Sequence, residues 1–381
     1  MFRFRPDLAS PHRTGSLKVP ATRYGQLIAA VLARFWDEDP PPPDVGADEL
    51  AEVTPLLIKT GAGALGWWRI RNSDLVTSEA ASLLQQAYRF HSIRSAVHKQ
   101  KISELFTCLR SAGVEPLVVK GWAIARLYPE SGLRPYIDID LCVRPEDYPT
   151  AEAVQNSLIV GEYWIDLHRG VDKLDDFSFD ELYNRSKLVK LGEVDIRILC
   201  DEDHLRVLCF HMLRHGALRP LWLCDLAIVL ASRTADFDWD RCLGNTPRRR
   251  DWIACGIGLA HKLLGADVTG TPVEKRARNL PTWLVPAILK QWEAPYPPLR
   301  YYEPMETYLR NPKGLLKGLR KRWPNPIEAT SSVNGPFNEW PRFPFQVGNC
   351  ILRTTRFLAE RSKTAAKQDS VGELEDPTES H

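Results

Sequence analysis

Two aspartates in one short segment are the residues of this sequence best suited to chemistry. Asp138 and Asp140 lie in the run Ile137-Asp138-Ile139-Asp140-Leu141. In a β-strand, the two carboxylates would project from the same face, about 7 Å apart along the backbone. Mg²⁺ prefers carboxylate, water and phosphate oxygens, and two like charges this close repel unless a cation or a proton lies between them. The pair predicts a divalent-metal site, with a solvent-facing acidic strand as the alternative.

Residues just upstream of the aspartates are suited to phosphate. Lys120-Gly121 follows a predicted strand and precedes a predicted helix, so free backbone N–H groups would point at this position. A lysine ammonium there adds a point charge that suits phosphate. Arg134 stands four residues before Asp138, at the mouth of the same strand. The alternatives are that Lys120 is an ordinary surface lysine and that Arg134 neutralises the aspartate pair.

A third carboxylate is expected beside the first two, because a two-metal site needs one to bridge metal and activate an attacking hydroxyl. Asp166 and Asp195 both lie in segments with strand-like alternation. Spacing does not choose between them. Asp195 could instead pair with Arg197 on a solvated face of the sheet.

Strands and helices that could hold these groups follow from the pattern of apolar residues. Strands are predicted at 114–119, 136–143, 164–168 and 194–198, with a helix at 122–128. Further helices are predicted at 24–36 and 77–112 before this unit, and at 203–215, 221–232 and 252–264 after it. This order indicates an α/β or α+β core between two helical regions.

Composition excludes several classes of protein. The chain has 381 residues and a net charge of only +2, so charge alone does not predict a DNA-binding protein. No run approaches the roughly 20 apolar residues needed to span a bilayer, and the N-terminus has no signal-peptide core. None of the eight cysteines forms a C-x-x-C pair typical of zinc or redox sites. We expect a cytoplasmic protein that binds neither membrane nor DNA.

Three histidines share one face of a predicted helix. His204, His211 and His215 are separated by seven and four residues. Core packing, zinc binding and contact with a substrate are the open interpretations, although no H-E-x-x-H motif supports zinc. Asp225, in the next predicted helix, is surrounded by apolar residues and needs a partner. One of these histidines or Arg214 would serve.

Several short motifs together resemble one known family. Between positions 112 and 143 they are Gly-Val-Glu-Pro-Leu-Val-Val-Lys-Gly, Leu-Tyr-Pro, Gly-Leu-Arg and Asp-Ile-Asp-Leu-Cys-Val. Later motifs are Ile165-Asp166-Leu167-His168, Ser-Lys-Leu-Val-Lys, Asp203-His204-Leu205, His211, Arg214-His215-Gly216 and the segment from Trp222 to Asp225. The chain resembles the "uncharacterised nucleotidyltransferase" family of the polymerase-β-like superfamily over roughly residues 80–265. The usual Gly-Ser pair of the superfamily is here Gly121-Trp122, although this family often has Lys-Gly at that place.

The resemblance implies an α+β fold, with a small mixed sheet flanked by helices, and transfer of a nucleoside monophosphate from an NTP. It assigns the third carboxylate to Asp166. Mg²⁺, with Mn²⁺ as a substitute, would then be held by Asp138, Asp140 and Asp166, while Lys120, Gly121 and Arg134 would bind the nucleotide. We expect ATP as the nucleotide and a hydroxyl of a small molecule, peptide, protein or RNA as the acceptor. The alternatives are a non-catalytic nucleotide-binding or toxin-like regulatory protein and a helical interaction scaffold.

The same analysis divides the chain into five parts. They are a flexible tail (1–20), an N-terminal helical region (21–110), the nucleotidyltransferase core (111–200), a C-terminal helical region (201–362) and a disordered tail (363–381).

Overall fold

The computed structural model describes residues 22–158, 164–171, 177–293, 318, 320 and 322–372. The expected tail 1–20 and residues 373–381 of the second expected tail lie outside the described residues. The last described helix continues to Gly372, past the predicted boundary at 362.

From residue 22 onward, the α-helices that precede the sheet are α1 (Arg23–Leu32), α2 (Ala47–Thr60), α3 (Gly63–Ile70) and α4 (Glu79–Ser111). The 33-residue helix α4 begins after Ser78, whose hydroxyl oxygen accepts a hydrogen bond from the backbone N–H of Ala81. It ends at Ser111, and Gly113, with a φ of +81°, turns the chain so that the backbone N–H of Val114 donates to the carbonyl oxygen of Leu109. Both ends of this helix are therefore fixed by local sequence.

One five-stranded mixed sheet lies at the centre of the chain. Its strands are β1 (Leu117–Val118), β2 (Ile139–Val143), β3 (Ile165–Arg169), β4 (Lys187–Leu191) and β5 (Val194–Ile198). The order is β3-β2-β1-β5-β4, with β2 parallel to β3, β1 parallel to β5, and the other two neighbours antiparallel. The prediction of an α+β fold with a small mixed sheet flanked by helices is confirmed.

Short helices lie between the strands in the described part of this region. They are α5 (Trp122–Ala125), α6 (Tyr148–Ser157) and α7 (Phe179–Arg185). The single turn α5 is shorter than the predicted helix at 122–128. The helix α6 supplies the crossover that a parallel β2–β3 pair requires.

The two faces of the sheet are buried against different apolar clusters. Ile139, Leu141 and Val143 pack with the C-terminal half of α4, whereas Cys142 packs on the opposite face with the helices that follow the sheet. All five residues of β2 are consequently buried. The predicted strand had included Ile137 on the inward face, but β2 begins at Ile139, and Ile137 is half-exposed.

Most helices after the sheet pack with α1, α2 and α3 in one apolar core. They are α8 (Asp201–Arg214), α9 (Pro220–Ala231), α10 (Trp239–Leu243), α11 (Pro247–Leu264), α12 (Glu274–Arg278), α13 (Leu284–Glu293) and α14 (Pro326–Ser332), whereas α15 (Phe343–Gly372) packs against α14. The two helical regions distinguished in the sequence thus share a core.

A close backbone contact joins the two ends of this core. A Cβ added to Gly25 in α1 would lie 2.7 Å from the Cα of Leu289 in α13. Because the atoms it meets belong to the backbone, no side-chain rotation can relieve the clash. Only glycine allows these two helices to approach so closely.

The variant Gly25→Ala should lower the free energy of unfolding by about 1–3 kcal/mol, because overpacking outweighs the helix propensity that alanine adds. Chemical denaturation measures this loss. The control is Gly46→Ala, where the nearest atom to the added Cβ is 3.9 Å away on the flexible Glu49 side chain. Equal effects of the two substitutions would contradict the proposed contact.

Candidate functional site

The pairing of β2 with β3 brings three polar side chains together. The parallel register places Asp140 opposite Asp166 and Cys142 opposite His168. Ligand atoms of Asp140, Asp166 and His168 all lie within 4.8 Å of one another, close enough to share one metal ion. Asp140 is buried, whereas the side chain of Asp166 is 52% exposed. The cluster therefore has one fixed carboxylate inside the sheet and one open to solvent.

Positive groups surround the buried carboxylate of Asp140. The Lys120 ammonium contacts its Oδ1 as an ion pair, although without the geometry of a directed hydrogen bond. The Nε2 atom of His168 lies 3.9 Å from the same oxygen and 3.1 Å from Oδ2 of Asp166.

These charges set the ionisation of the cluster. Burial alone would raise the pKa of Asp140, but His168 and Lys120 outweigh it and lower that pKa to about 2. The carboxylate of Asp140, together with that of Asp166, raises the pKa of His168. The carboxylate of Asp140 therefore stays ionised because positive groups lie against it.

Lys120 reaches Asp140 because of the turn that follows β1. The backbone N–H of Val119 donates to the carbonyl oxygen of Asp140 at 3.3 Å, which aligns the two segments. Gly121 then adopts a φ of +51°, and a Cβ there would lie 3.4 Å from the carbonyl oxygen of Asp138. A glycine is favoured by both the backbone conformation and the close approach. Gly121 and Lys120 thus lie beside the cluster.

Asp138 lies just before β2, where the residue as a whole is exposed while its carboxylate is partly shielded by neighbouring atoms. It is not a member of the cluster formed by Asp140, Asp166 and His168 among the described residues. Shielding of its carboxylate from water raises its pKa, and the charge of Asp140 adds to this effect. Asp138 is consequently the easier of the two neighbouring aspartates to protonate.

Arg134 is bound elsewhere, in a buried network with α9. Its Nε and Nη2 donate to the two carboxylate oxygens of Asp225 at 3.1 and 2.7 Å, and the Tyr128 hydroxyl donates to Asp225 at 2.8 Å. Although burial opposes it, Asp225 raises the pKa of Arg134. The partners of Asp225 are therefore Arg134 and Tyr128 rather than a histidine or Arg214. This ion pair anchors the loop before Asp138 to α9.

The other candidate third carboxylate lies on the far side of β1. Asp195 in β5 pairs with Lys190 in β4 at 3.0 Å, and its side chain is exposed. Its expected alternative partner, Arg197, instead contacts Glu115 at 3.4 Å. The structure places Asp166 at the cluster and Asp195 outside it.

The three histidines of α8 differ in their surroundings. His204 is buried, and burial lowers its pKa to about 4. His211 and His215 lie at the other end of the helix, where their rings contact each other and Trp222. His204 is thus a core residue, and the other two belong to a separate aromatic group.

Comparison with known proteins supplies the family. Residues 49–158 and 160–265 match the family described as "Uncharacterised nucleotidyltransferase". The chain belongs to this family. As a nucleotidyltransferase it carries the cluster described above within the matched residues. No curated protein and no solved structure matches the chain.

Membership confirms the resemblance found in the motifs and shows that the protein is a nucleotidyltransferase enzyme. Among the described residues of this nucleotidyltransferase, no helix has the length and apolar character needed to cross a membrane.

His168 is the member of the cluster whose role the sequence did not predict. It stands two residues after Asp166, so it projects from the same face of β3. The D-x-H spacing of the sequence indicates that Asp166 and His168 share one face of a strand. The short distance from His168 to Asp140, however, depends on the register between β2 and β3. A histidine on one strand cannot be assigned to an aspartate on another without that register.

Acid should destabilise the nucleotidyltransferase through His204. Its pKa is lower in the folded state than in the unfolded chain, so its contribution is complete above about pH 6.5 and declines as the pH falls toward 4. Within this window the free energy of unfolding should fall by up to about 1.4 kcal/mol for each pH unit of acidification. Denaturation of the wild type and His204→Gln at pH 7, 6 and 5 measures it. A stability difference between the two that does not change with pH would contradict the assignment.

Asp225→Asn should lower the free energy of unfolding by about 3–5 kcal/mol, because it leaves the buried guanidinium of Arg134 without a counter-charge. Urea denaturation at neutral pH measures this loss. Asp195→Asn is the matched control, since its exposed pair with Lys190 should contribute about 1 kcal/mol or less. Similar losses in both variants would show that Asp225 does not anchor the loop.

Proposed function

We propose that this nucleotidyltransferase transfers a nucleoside monophosphate from an NTP to an acceptor hydroxyl, with release of pyrophosphate. The observation that carries the proposal is the alignment of Asp140 with Asp166 on adjacent parallel strands, beside Lys120. We infer that Asp138, Asp140 and Asp166 hold Mg²⁺, for which Mn²⁺ can substitute. The carboxylate oxygens suit these hard cations. The positive groups that lie against Asp140 support this proposal, because a metal ion would meet the same carboxylate.

The metal, when bound, would neutralise charge on the phosphates and polarise the reacting phosphorus. The half-exposed carboxylate of Asp166 is accessible to an acceptor and would take the proton of its hydroxyl. The acceptor oxygen forms a bond to the α-phosphorus while the bond to the β-phosphate oxygen breaks, and pyrophosphate leaves. Lys120 would exchange its contact with Asp140 for a phosphate oxygen, and the backbone at Gly121 would support the same chain of phosphates.

Arg134 would contribute to the site indirectly. Because its guanidinium already donates hydrogen bonds to Asp225, we assign it an electrostatic and positioning role in nucleotide binding. ATP is the proposed nucleotide. The proposed acceptor is a hydroxyl of a small molecule, a peptide, a protein or RNA, and a cytoplasmic location stays a prediction.

Thermal unfolding with Mg²⁺ and each of the four NTPs tests the site. A ligand at about 100 times its dissociation constant adds about 2.7 kcal/mol to the stability of the folded state. The wild type should gain such stability, and Asp138→Asn/Asp140→Asn should lose the gain because the metal no longer binds. Asp195→Asn should retain it, since Asp195 lies outside the cluster. Full stabilisation of the double variant would overturn the metal assignment.

Pyrophosphate release in the presence of each acceptor class separates the two functional alternatives. Release that depends on Asp140 and Asp166 supports the enzyme. Nucleotide-dependent stabilisation without release from any acceptor class supports a non-catalytic nucleotide-binding protein on the same fold.

A further inference from the structure

A second group of functional side chains lies where α8 ends and α9 begins. The rings of His211 and His215 are 4.5 Å apart, and they lie 4.9 and 5.5 Å from the ring of Trp222. The guanidinium of Arg219 is 5.6 Å from the centre of the same indole. We call His211, His215 and Trp222 the ring cluster. None of these residues was assigned to the metal or the phosphates.

The ring cluster is open to solvent, although the helices that carry it are buried. His215 is exposed, and His211 and Trp222 are half-buried. In contrast, the rest of α8 from Asp203 and the rest of α9 after Trp222 are almost wholly buried. Within this pair of helices, aromatic and imidazole rings thus reach the surface only at this end.

Two contacts place the ring cluster beside the residues proposed to bind the metal. Asp225, one turn after Trp222 on α9, holds Arg134 in the loop before Asp138. Leu221, next to Trp222, lies with Pro135 of the same loop around Gly61.

The ring cluster therefore lies alongside the site, on the face of the sheet that Asp140 shares with Cys142.

We propose that the ring cluster binds the nucleobase of the NTP. The inference rests on the proposed function, which places the phosphates at Lys120 and the metal. The base is joined to those phosphates through the ribose, so it must lie against a neighbouring surface. The indole of Trp222 offers a π face for stacking, and the two imidazole rings border it. Such stacking tolerates different bases, because every base has a π face.

Two ligands measured by calorimetry in the presence of Mg²⁺ separate the base from the phosphates. Tripolyphosphate probes the phosphate and metal residues alone, and ATP adds the nucleoside. For the wild type, ATP should bind more tightly than tripolyphosphate. Trp222→Ala should weaken ATP binding by about five- to a hundredfold, as expected for the loss of one stacked base, and should leave tripolyphosphate binding unchanged.

Two further variants control for folding and for the loss of any tryptophan. Trp222→Phe keeps an aromatic face and should retain most of the affinity for ATP. Trp340→Ala removes an exposed tryptophan near the start of α15 and should change neither affinity. Unchanged binding of tripolyphosphate shows that the Trp222→Ala protein is folded.

Each outcome bears on a different claim. Undiminished ATP binding by Trp222→Ala would overturn the inference and leave the proposed function standing, with the ring cluster free to bind the acceptor. In another outcome, the wild type binds ATP but not tripolyphosphate, and Trp222→Ala no longer binds ATP. This result would support base binding by the ring cluster and overturn the proposed phosphate site. A wild type that binds neither ligand would overturn both.

Discussion

The buried carboxylate of Asp140 imposes the constraint around which the centre of this protein is organised. A charge inside a sheet that is covered on both faces carries a desolvation penalty of several kcal/mol unless it is paired. Lys120 from the turn after β1 and His168 from β3 provide the compensating charge. The order of strands, with β2 between β1 and β3, is what allows both to reach the same oxygen. The order of the strands is therefore also what stabilises the charge on Asp140.

A second buried charge extends this arrangement into the helices. Asp225 on α9 fixes Arg134, which lies between the sheet and the C-terminal core. Because removal of either partner leaves an uncompensated charge, the loop between α5 and β2 is held to α9 more firmly than apolar packing alone would hold it. The position of the ring cluster follows from the same tie, since Trp222 stands one helical turn before Asp225. The cluster of Asp140, Asp166 and His168, together with Lys120 and the ring cluster, is therefore positioned by two buried carboxylates.

Many of the strands and helices could be predicted from the sequence, because their positions follow from local patterns of residues. Alternation with a period of two identified the segments of β2, β3 and β5, and glycine after a long helical pattern located the end of α4. The strand β4 was missed because Lys187–Leu191 is a half-exposed edge strand with two lysines and little apolar contrast. The helices α2 and α3 were not predicted individually, because Pro55 and several glycines interrupt their patterns.

Non-local contacts set the limit of the prediction. The pair formed by Arg134 and Asp225 joins residues 91 positions apart, and nothing in the spacing selects it over the nearer histidines. The approach of His168 to Asp140 depends on a parallel register, which the crossover through α6 determines. Spacing could name the residues on each strand, but only the packed fold decides which strand edges meet.

The helix α4 has a mechanical consequence for the enzyme. Its N-terminal half packs in the helical core through Ala80, Ala81 and Leu84, and its C-terminal half supports the sheet through residues such as Phe106. One continuous rod therefore passes from one body of the molecule to the other. Rotation of the sheet against the helices would have to bend or break this rod. Substrates therefore meet a sheet whose orientation to the helical core is held by α4.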